Sequence, residues 1–265
     1  MSNLCLSLDQ SKAIENLLCE VLRNKFQNYA PETSVMPFHT RLLGNDRMAL
    51  FSFIHSINTN FGTTIFEPVA KQLAYNRFKE SCNQASPEKI ISSDALIEIQ
   101  NIMDDLRAAT ATPNKAEEIE RIRKVCRSGK PHSVKLTKID LMLKSHDEEL
   151  FFFDIKTAKP NKGGFQEFKR TLLEWVAATL YVNPDQKITT AIAIPYNPYS
   201  PKPYSRWTMA GMLDLTHELK VAEEFWDFLG GDGAYQDILQ CFENVGILMR
   251  SDIDDYFSTF NKQRR

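Results

Sequence analysis

The chain has 265 residues, of which 43% are hydrophobic and 25% charged, with a formal net charge of −2. That profile suits one large globular domain or a core with lobes, and the near-neutral balance argues against histone-like, non-specific nucleic-acid binding while leaving room for a local basic groove. Five scattered cysteines without a CxxC pair argue against zinc and suit a reducing cytoplasm. The opening MSNLCLSLDQSK has no basic region and no long apolar run, so neither a signal peptide nor a membrane segment is expected.

Residues 9–29 read as an amphipathic helix, with Ile14, Leu17, Leu18, Val21, Leu22 and Phe26 at helical spacing and Pro31 just beyond. Residues 34–45 read as a loop in which His39 and Arg41 are either solvated or in reach of nucleic acid. A second, very apolar helix is expected over 46–57. A break at 58–64 then leads to a new helix N-capped by Thr63 or Thr64 and running through Val69, Leu73, Ala74 and Phe78. Glu67 in its first turn has two readings: an acid favoured by the helix dipole, or a carboxylate presented to a metal site. Residues 86–127 read as helical in at least two pieces divided by Pro113, and Gly129 closes the second. The basic run Arg121, Arg123, Lys124, Arg127 and Lys130 is either a solvated helix end or a phosphate-facing surface.

The segment KLTKIDLMLKSHDEELFFFDIKTAKPNK (135–162) organises the chain. Residues 138–143 and 150–156 are rich in strand formers and flank the polar cluster Ser145, His146, Asp147 and Glu148, which reads as a hairpin. Folded there, Asp140 lies across from Phe153 or Asp154, about 5 Å away. Phe152, Asp154 and Lys156 share one face; Phe151, Phe153 and Ile155 point the other way into the core. Two carboxylates on neighbouring strands repel each other. Lys156 offsets part of that charge, and a hard divalent cation such as Mg²⁺ would offset the rest. Such a constellation fits metal-assisted phosphodiester cleavage. The tripeptide alone carries little, since Asp/Glu-x-Lys recurs at Glu167, Asp185 and Glu218, and Asp154 reads equally as a strand-end carboxylate paired with Lys156 or Lys138 on the surface. The Phe151-Phe152-Phe153 run, the facing Asp140 and the basic, glycine-containing stretch of Lys159, Lys162, Gly163 and Gly164 favour the functional reading.

Residues 164–181 form a long helix with Gln166, Lys169 and Arg170 near its start, a natural phosphate seat. KITTAIAI (187–194) reads as a buried strand reached by a parallel or mixed crossover. PYNPYSPKPYSRW (195–207) is stiff, aromatic and basic, and is either a nucleic-acid contact through Lys202 and Arg206 or a packed surface loop. From residue 215 onward the chain reads as helical, broken by Gly230-Gly231-Asp232-Gly233, which lacks the Gly-Lys-Ser/Thr end of a phosphate loop.

Asp140 and Asp154-Ile155-Lys156, on an antiparallel hairpin followed by a helix and another strand, resemble the PD-(D/E)XK nuclease superfamily, although Ile139 stands where that motif has Pro. Across nearly the whole chain, through HTRLLGNDRMALFSFIHSINTNFGTTIFEPVAKQLA (39–74), FFFDIKTAKPNKGGFQEFKR (151–170) and FWDFLGGDGAYQDILQCFENVGILMR (225–250), the sequence resembles type II restriction endonucleases of the TdeIII type. The resemblance implies an α/β fold: a central mixed sheet with an antiparallel catalytic hairpin flanked by helices, and helix-rich N- and C-terminal additions. It implies one nuclease domain over 1–265, with a helical part at 1–60, a catalytic core at 61–207 and a helical part at 208–265. Asp140 and Asp154 would bind Mg²⁺ together with the Ile155 carbonyl, Lys156 would act on the attacking water, and Glu67 would be the helix carboxylate some members add. Lys159, Lys162, Gln166, Lys169, Arg170, Lys202 and Arg206 would contact double-stranded DNA. A cytoplasmic homodimer acting on a short palindrome is implied, GGNCC-like for the TdeIII type, with a DNA methyltransferase as genetic partner. Competing expectations are a repair or structure-specific nuclease of the same fold and a catalytically inert DNA-binding protein. A Ser or Cys hydrolase has no nucleophile elbow to support it.

Overall fold

A computed structural model describes residues 5–30, 36–156, 164–205 and 207–261. In chain order the elements are α1 (Leu8–Asn28), α2 (Pro37–Leu43), α3 (Asn45–Phe61), α4 (Glu67–Ala74), β1 (Glu80–Ala85), β2 (Ile90–Ser92), α5 (Ser93–Arg107), α6 (Lys115–Val125), β3 (Pro131–Ser133), β4 (Ile139–Lys144) and β5 (Leu150–Ile155). They continue with α7 (Gly164–Val182), β6 (Ile188–Ile194), α8 (Trp207–Ala210), β7 (Leu219–Val221), α9 (Glu223–Gly230), α10 (Ala234–Leu248) and α11 (Arg250–Asn261). Two compact units result, Met1–Leu73 with Asp232–Arg265, and Ala74–Gly231.

The first unit is helical and joins the two ends of the chain. A capping box between Ser7 and Gln10 starts α1, whose Ile14, Leu18 and Cys19 are buried, and α1 packs on α10. Phe26, Phe53, Tyr256 and Phe257 form an aromatic cluster with centroids 5.0–5.5 Å apart. Of the helical parts expected at 1–60 and 208–265, residues 1–60 and 232–265 fall in this unit, and 208–231 fall in the other. Two local expectations change. Residues 37–43 are helical, with Pro37 at the start, where its missing N–H costs nothing. No break follows α3: Gly62 keeps helical angles, and a π-helical turn, Gly62–Phe66, runs straight into α4. With no proline in 58–64, the backbone absorbs the irregularity as a π-turn, and Thr63 and Thr64 have no helix start to cap.

The second unit carries a five-stranded mixed sheet of order β1-β4-β5-β6-β7. The β1–β4 and β4–β5 pairs are antiparallel; β5–β6 and β6–β7 are parallel. The expected crossover is therefore parallel, with α7 carrying the chain from β5 to β6. Both faces of β5 are covered. Phe152 meets Trp175 of α7, while Phe151 and Phe153 meet Phe228, and Phe153 also meets Phe225, on α9. The Phe152 face is thus as much core as the other, as a parallel sheet sandwiched by helices requires. Residues 86–127, expected to be all helix, include the short β2, which pairs with β3 in a separate two-stranded sheet. The C-terminal stretch, expected to be all helix, includes β7 at the sheet edge. No described helix is long and apolar enough to cross a membrane.

Candidate active site

The hairpin forms in the expected place. Leu141 pairs with Phe153, Met142 with Phe152, Leu143 with Phe151 and Lys144 with Leu150. The ladder's last pair is Leu141–Phe153, and continued one step it would face Asp140 with Asp154, the second of the two alternatives the sequence left. The turn closes through the Glu148 N–H to the Ser145 carbonyl at 3.1 Å, with Glu148 at φ 63°. Hydrogen bonds from Lys144 and Lys79 hold the Glu148 carboxyl down at about 2.

Asp140 is gripped from both neighbouring strands. Its Oδ2 accepts the Ile155 N–H of β5 at 2.8 Å, and its Oδ1 accepts Nε2 of Gln84, on β1, at 3.1 Å. Asp154 is 4% exposed, and its Oδ1 lies 2.5 Å from Lys156 Nζ. It is therefore not a solvated strand-end acid. Lys156 is fixed twice: its N–H donates to the Ala193 carbonyl at 2.9 Å, and its ammonium sits 5.0 Å from the Phe168 ring centroid on α7. Two carboxylates and one ammonium leave a net charge of −1 at the end of the hairpin, on the sheet face that α7 covers.

Among the described residues no group of three or more His, Cys, Asp or Glu side chains could hold a metal. A cation at the hairpin would rest on two carboxylates plus backbone, water or phosphate oxygens. Mg²⁺ favours this donor set, because it takes hard oxygen ligands, needs only one or two protein carboxylates and retains water. The residues fit it, whereas the absence of sulfur and imidazole donors suits zinc poorly.

The other expected site residues are distributed differently. Glu67 belongs to the helical unit and is 2% exposed, directly after the π-turn. No helix N-terminus exists there, so the dipole reading fails. Lys159, Lys162 and Arg206 lie outside the described residues. Gln166 is exposed and accepts Arg107 Nε at 3.0 Å. Arg170 donates to Gln100 at 2.5 Å, and Lys202 is exposed.

Lys169 requires a correction. It is 0% exposed and unavailable to a DNA backbone. Its ammonium contacts Glu118 at 2.5 Å and Glu218 at 2.6 Å, and the other Glu218 oxygen meets Lys115 at 2.8 Å. The cause was present in the sequence: Phe165, Lys169, Leu172, Leu173 and Val176 form one stripe of α7, so Lys169 takes a core position while Gln166 and Arg170 do not. Burial raises the Glu118 carboxyl and lowers the Lys115 ammonium. Burial also works to raise Glu218, but Lys115 and Lys169 outweigh it and hold that carboxyl below its ordinary value. The three arginines of the basic run before the hairpin are engaged within the fold, while Lys124 and Lys130 are exposed. Arg121 pairs with Glu98, while Arg123 and Arg127 donate to the carbonyls of Pro184, Gln186, Tyr181 and Val182 at and beyond the end of α7.

Gln84 was not anticipated. The polar β1 sequence ESCNQA has no apolar alternation, and without β1 nothing placed Gln84 beside Asp140.

A family model described as type II restriction endonuclease HinfI matches residues 6–246. The chain is 26% identical over 223 residues to the type II restriction enzyme HgiCII of Herpetosiphon aurantiacus, covering 82% of this chain and 80% of that protein. It is 25% identical over 236 residues to HgiEI of the same organism, covering 85% and 84%. It is 23% identical over 268 positions to the type II restriction enzyme MjaII of Methanocaldococcus jannaschii, covering 91% and 71%. The family match spans both units and every described residue of the hairpin, and on that ground the chain belongs to the HinfI family of type II restriction endonucleases.

Proposed function

We propose that this chain is a Mg²⁺-dependent, sequence-specific endonuclease that hydrolyses phosphodiester bonds of double-stranded DNA, with a PD-(D/E)XK-type centre made by Asp140, Asp154 and Lys156. The observation that carries the reading is the register of the β4–β5 hairpin. Continued one step past the Leu141–Phe153 pair, it would face Asp140 with Asp154; Asp140 accepts the Ile155 N–H across the hairpin, and the Asp154 carboxylate meets the Lys156 ammonium two residues on.

Each residue has a task that its surroundings support. Asp140 and Asp154 hold the cation, with the Ile155 carbonyl as a further oxygen donor. When bound, Mg²⁺ supplies charge stabilisation at the phosphate and a more acidic water. Lys156 orients the attacking water and offsets phosphate charge; its contact with the Phe168 ring limits where the ammonium sits. Water oxygen bonds to phosphorus as a P–O ester bond breaks, and the departing oxygen takes a proton. Glu67 is assigned as an added carboxylate, and the reading does not depend on it. Lys159, Lys162, Gln166, Arg170, Lys202 and Arg206 are assigned to the DNA backbone; Lys169 is not. A cytoplasmic homodimer on a short palindrome, guarded by a cognate methyltransferase, completes the reading. A GGNCC-like site follows only from the resemblance to the TdeIII type.

The test is digestion of a sequenced linear DNA with Mg²⁺ and with EDTA. Discrete fragments with Mg²⁺ alone are expected, and their mapped ends give the recognition site. A smear, or fragments tied to branched or damaged DNA, would replace sequence specificity with structure specificity. Binding without cutting would point to the inert DNA-binding alternative.

A further inference from the structure

Gln84 combines two features that ordinary strand residues lack. Its φ is +52°, in the left-handed region that side-chain-bearing residues other than Asn and Asp rarely enter. Its side chain also reaches Asp140. The β1–β4 ladder pairs Asn83 with Leu141 and Ala85 with Ile139, but the intervening Gln84–Asp140 pair is not part of it. At that position, within β1, a side-chain hydrogen bond from Gln84 to Asp140 links the two strands.

The polarity of that bond is fixed by chemistry. An ionised carboxylate only accepts, so the Gln84 amide must donate. Asp140 Oδ1 takes it from β1, while Oδ2 takes the Ile155 N–H from β5. A carboxyl plane turns easily about its last torsion. Bonds to both oxygens, from strands on opposite sides, hold it in one orientation. A conformation that is costly for glutamine, kept where it aims a donor at a reacting group, points from strain to function.

We infer that Gln84 is a positioning residue that sets the orientation of the Asp140 carboxylate. The inference rests on the proposed role of Asp140. Its strained backbone provides a test that separates this role from a merely structural one. In Gln84→Gly the donor disappears and the left-handed conformation becomes easy. A purely structural Gln84 would leave cleavage intact in that variant. A positioning role requires activity to fall in that variant while stability does not. The expected result is an unfolding temperature at or above wild type, with single-turnover cleavage slowed about 10- to 100-fold and DNA affinity in EDTA within about twofold of wild type. Gln84→Ala, which loses the donor but keeps the strain, should cleave equally slowly and melt below the glycine variant.

Cleavage by Gln84→Gly at the wild-type rate, or parallel losses of stability and activity in it, overturns the inference. Asp140→Ala is measured alongside. If that variant cleaves like wild type, the site itself is wrong and the inference falls with it. If Asp140→Ala is inactive while Gln84→Gly is fully active, only the role of Gln84 is refuted.

Discussion

Replacing Lys169 with methionine should unfold the sheet unit at a markedly lower temperature. Lys169, Lys115, Glu118 and Glu218 form a neutral set of two cations and two anions, all buried. Removing one ammonium leaves two buried carboxylates sharing a single lysine. Breaking a buried ion pair from one side typically costs about 3–5 kcal/mol, because the surviving charge is uncompensated. For a unit of this size that corresponds to a fall of roughly 6–20 °C in Tm. The partner test is the double variant Lys169→Met with Glu118→Leu, which leaves Lys115 and Glu218 as a neutral pair. It should recover most of the loss, a coupling that a double-mutant cycle measures directly. Thermal unfolding followed by circular dichroism is the assay. A single variant that melts like wild type, or a double variant no better than the single, would refute the assignment. The salt dependence of DNA binding by the double variant should match wild type, since Lys169 neutralises no phosphate.

Lys156→Ala should slow single-turnover cleavage at least tenfold while weakening DNA binding only slightly, because its charge acts at the phosphate undergoing reaction. Equal losses in both would make Lys156 a plain binding residue. At the hairpin turn, the Glu148 carboxyl should titrate near 2 by carbon NMR. Its folded value lies below the unfolded one, so its contribution to stability is present above the ordinary glutamate range and is lost as pH falls towards 2. The group is exposed, so the effect on unfolding should be small, and a midpoint near 4.5 would show that the Lys144 and Lys79 pairs do not persist in solution.

The hairpin was legible because its signals are local. Apolar residues flank a polar turn, and the alternation of side chains fixes which residues share a face, so Asp140, Asp154 and Lys156 could be placed within one residue of their register. The α7 helix and β6 were legible for the same reason. What escaped notice depends on distant partners. β1 lies at the sheet edge and is polar, without apolar alternation, and β2, β3 and β7 are three residues each, too short for periodicity to show. Lys169 was misplaced because a lysine near a helix start suggests solvent, although the apolar residues four before and three after it mark a core stripe. The carboxylates that make its burial tolerable come from Glu118 and Glu218, roughly 50 residues away on either side. Joining the first and last helices into one unit likewise needs contacts that no local pattern carries.

The most direct test of the central claim is a parallel measurement of binding and single-turnover cleavage by wild type and Asp154→Asn on a DNA containing the mapped site. The substitution keeps the shape of a buried side chain and removes its charge. The account predicts DNA affinity in EDTA within about twofold of wild type and cleavage with Mg²⁺ reduced by at least 10²-fold. Cleavage at the wild-type rate by Asp154→Asn would contradict it and move the reacting centre away from the β4–β5 hairpin.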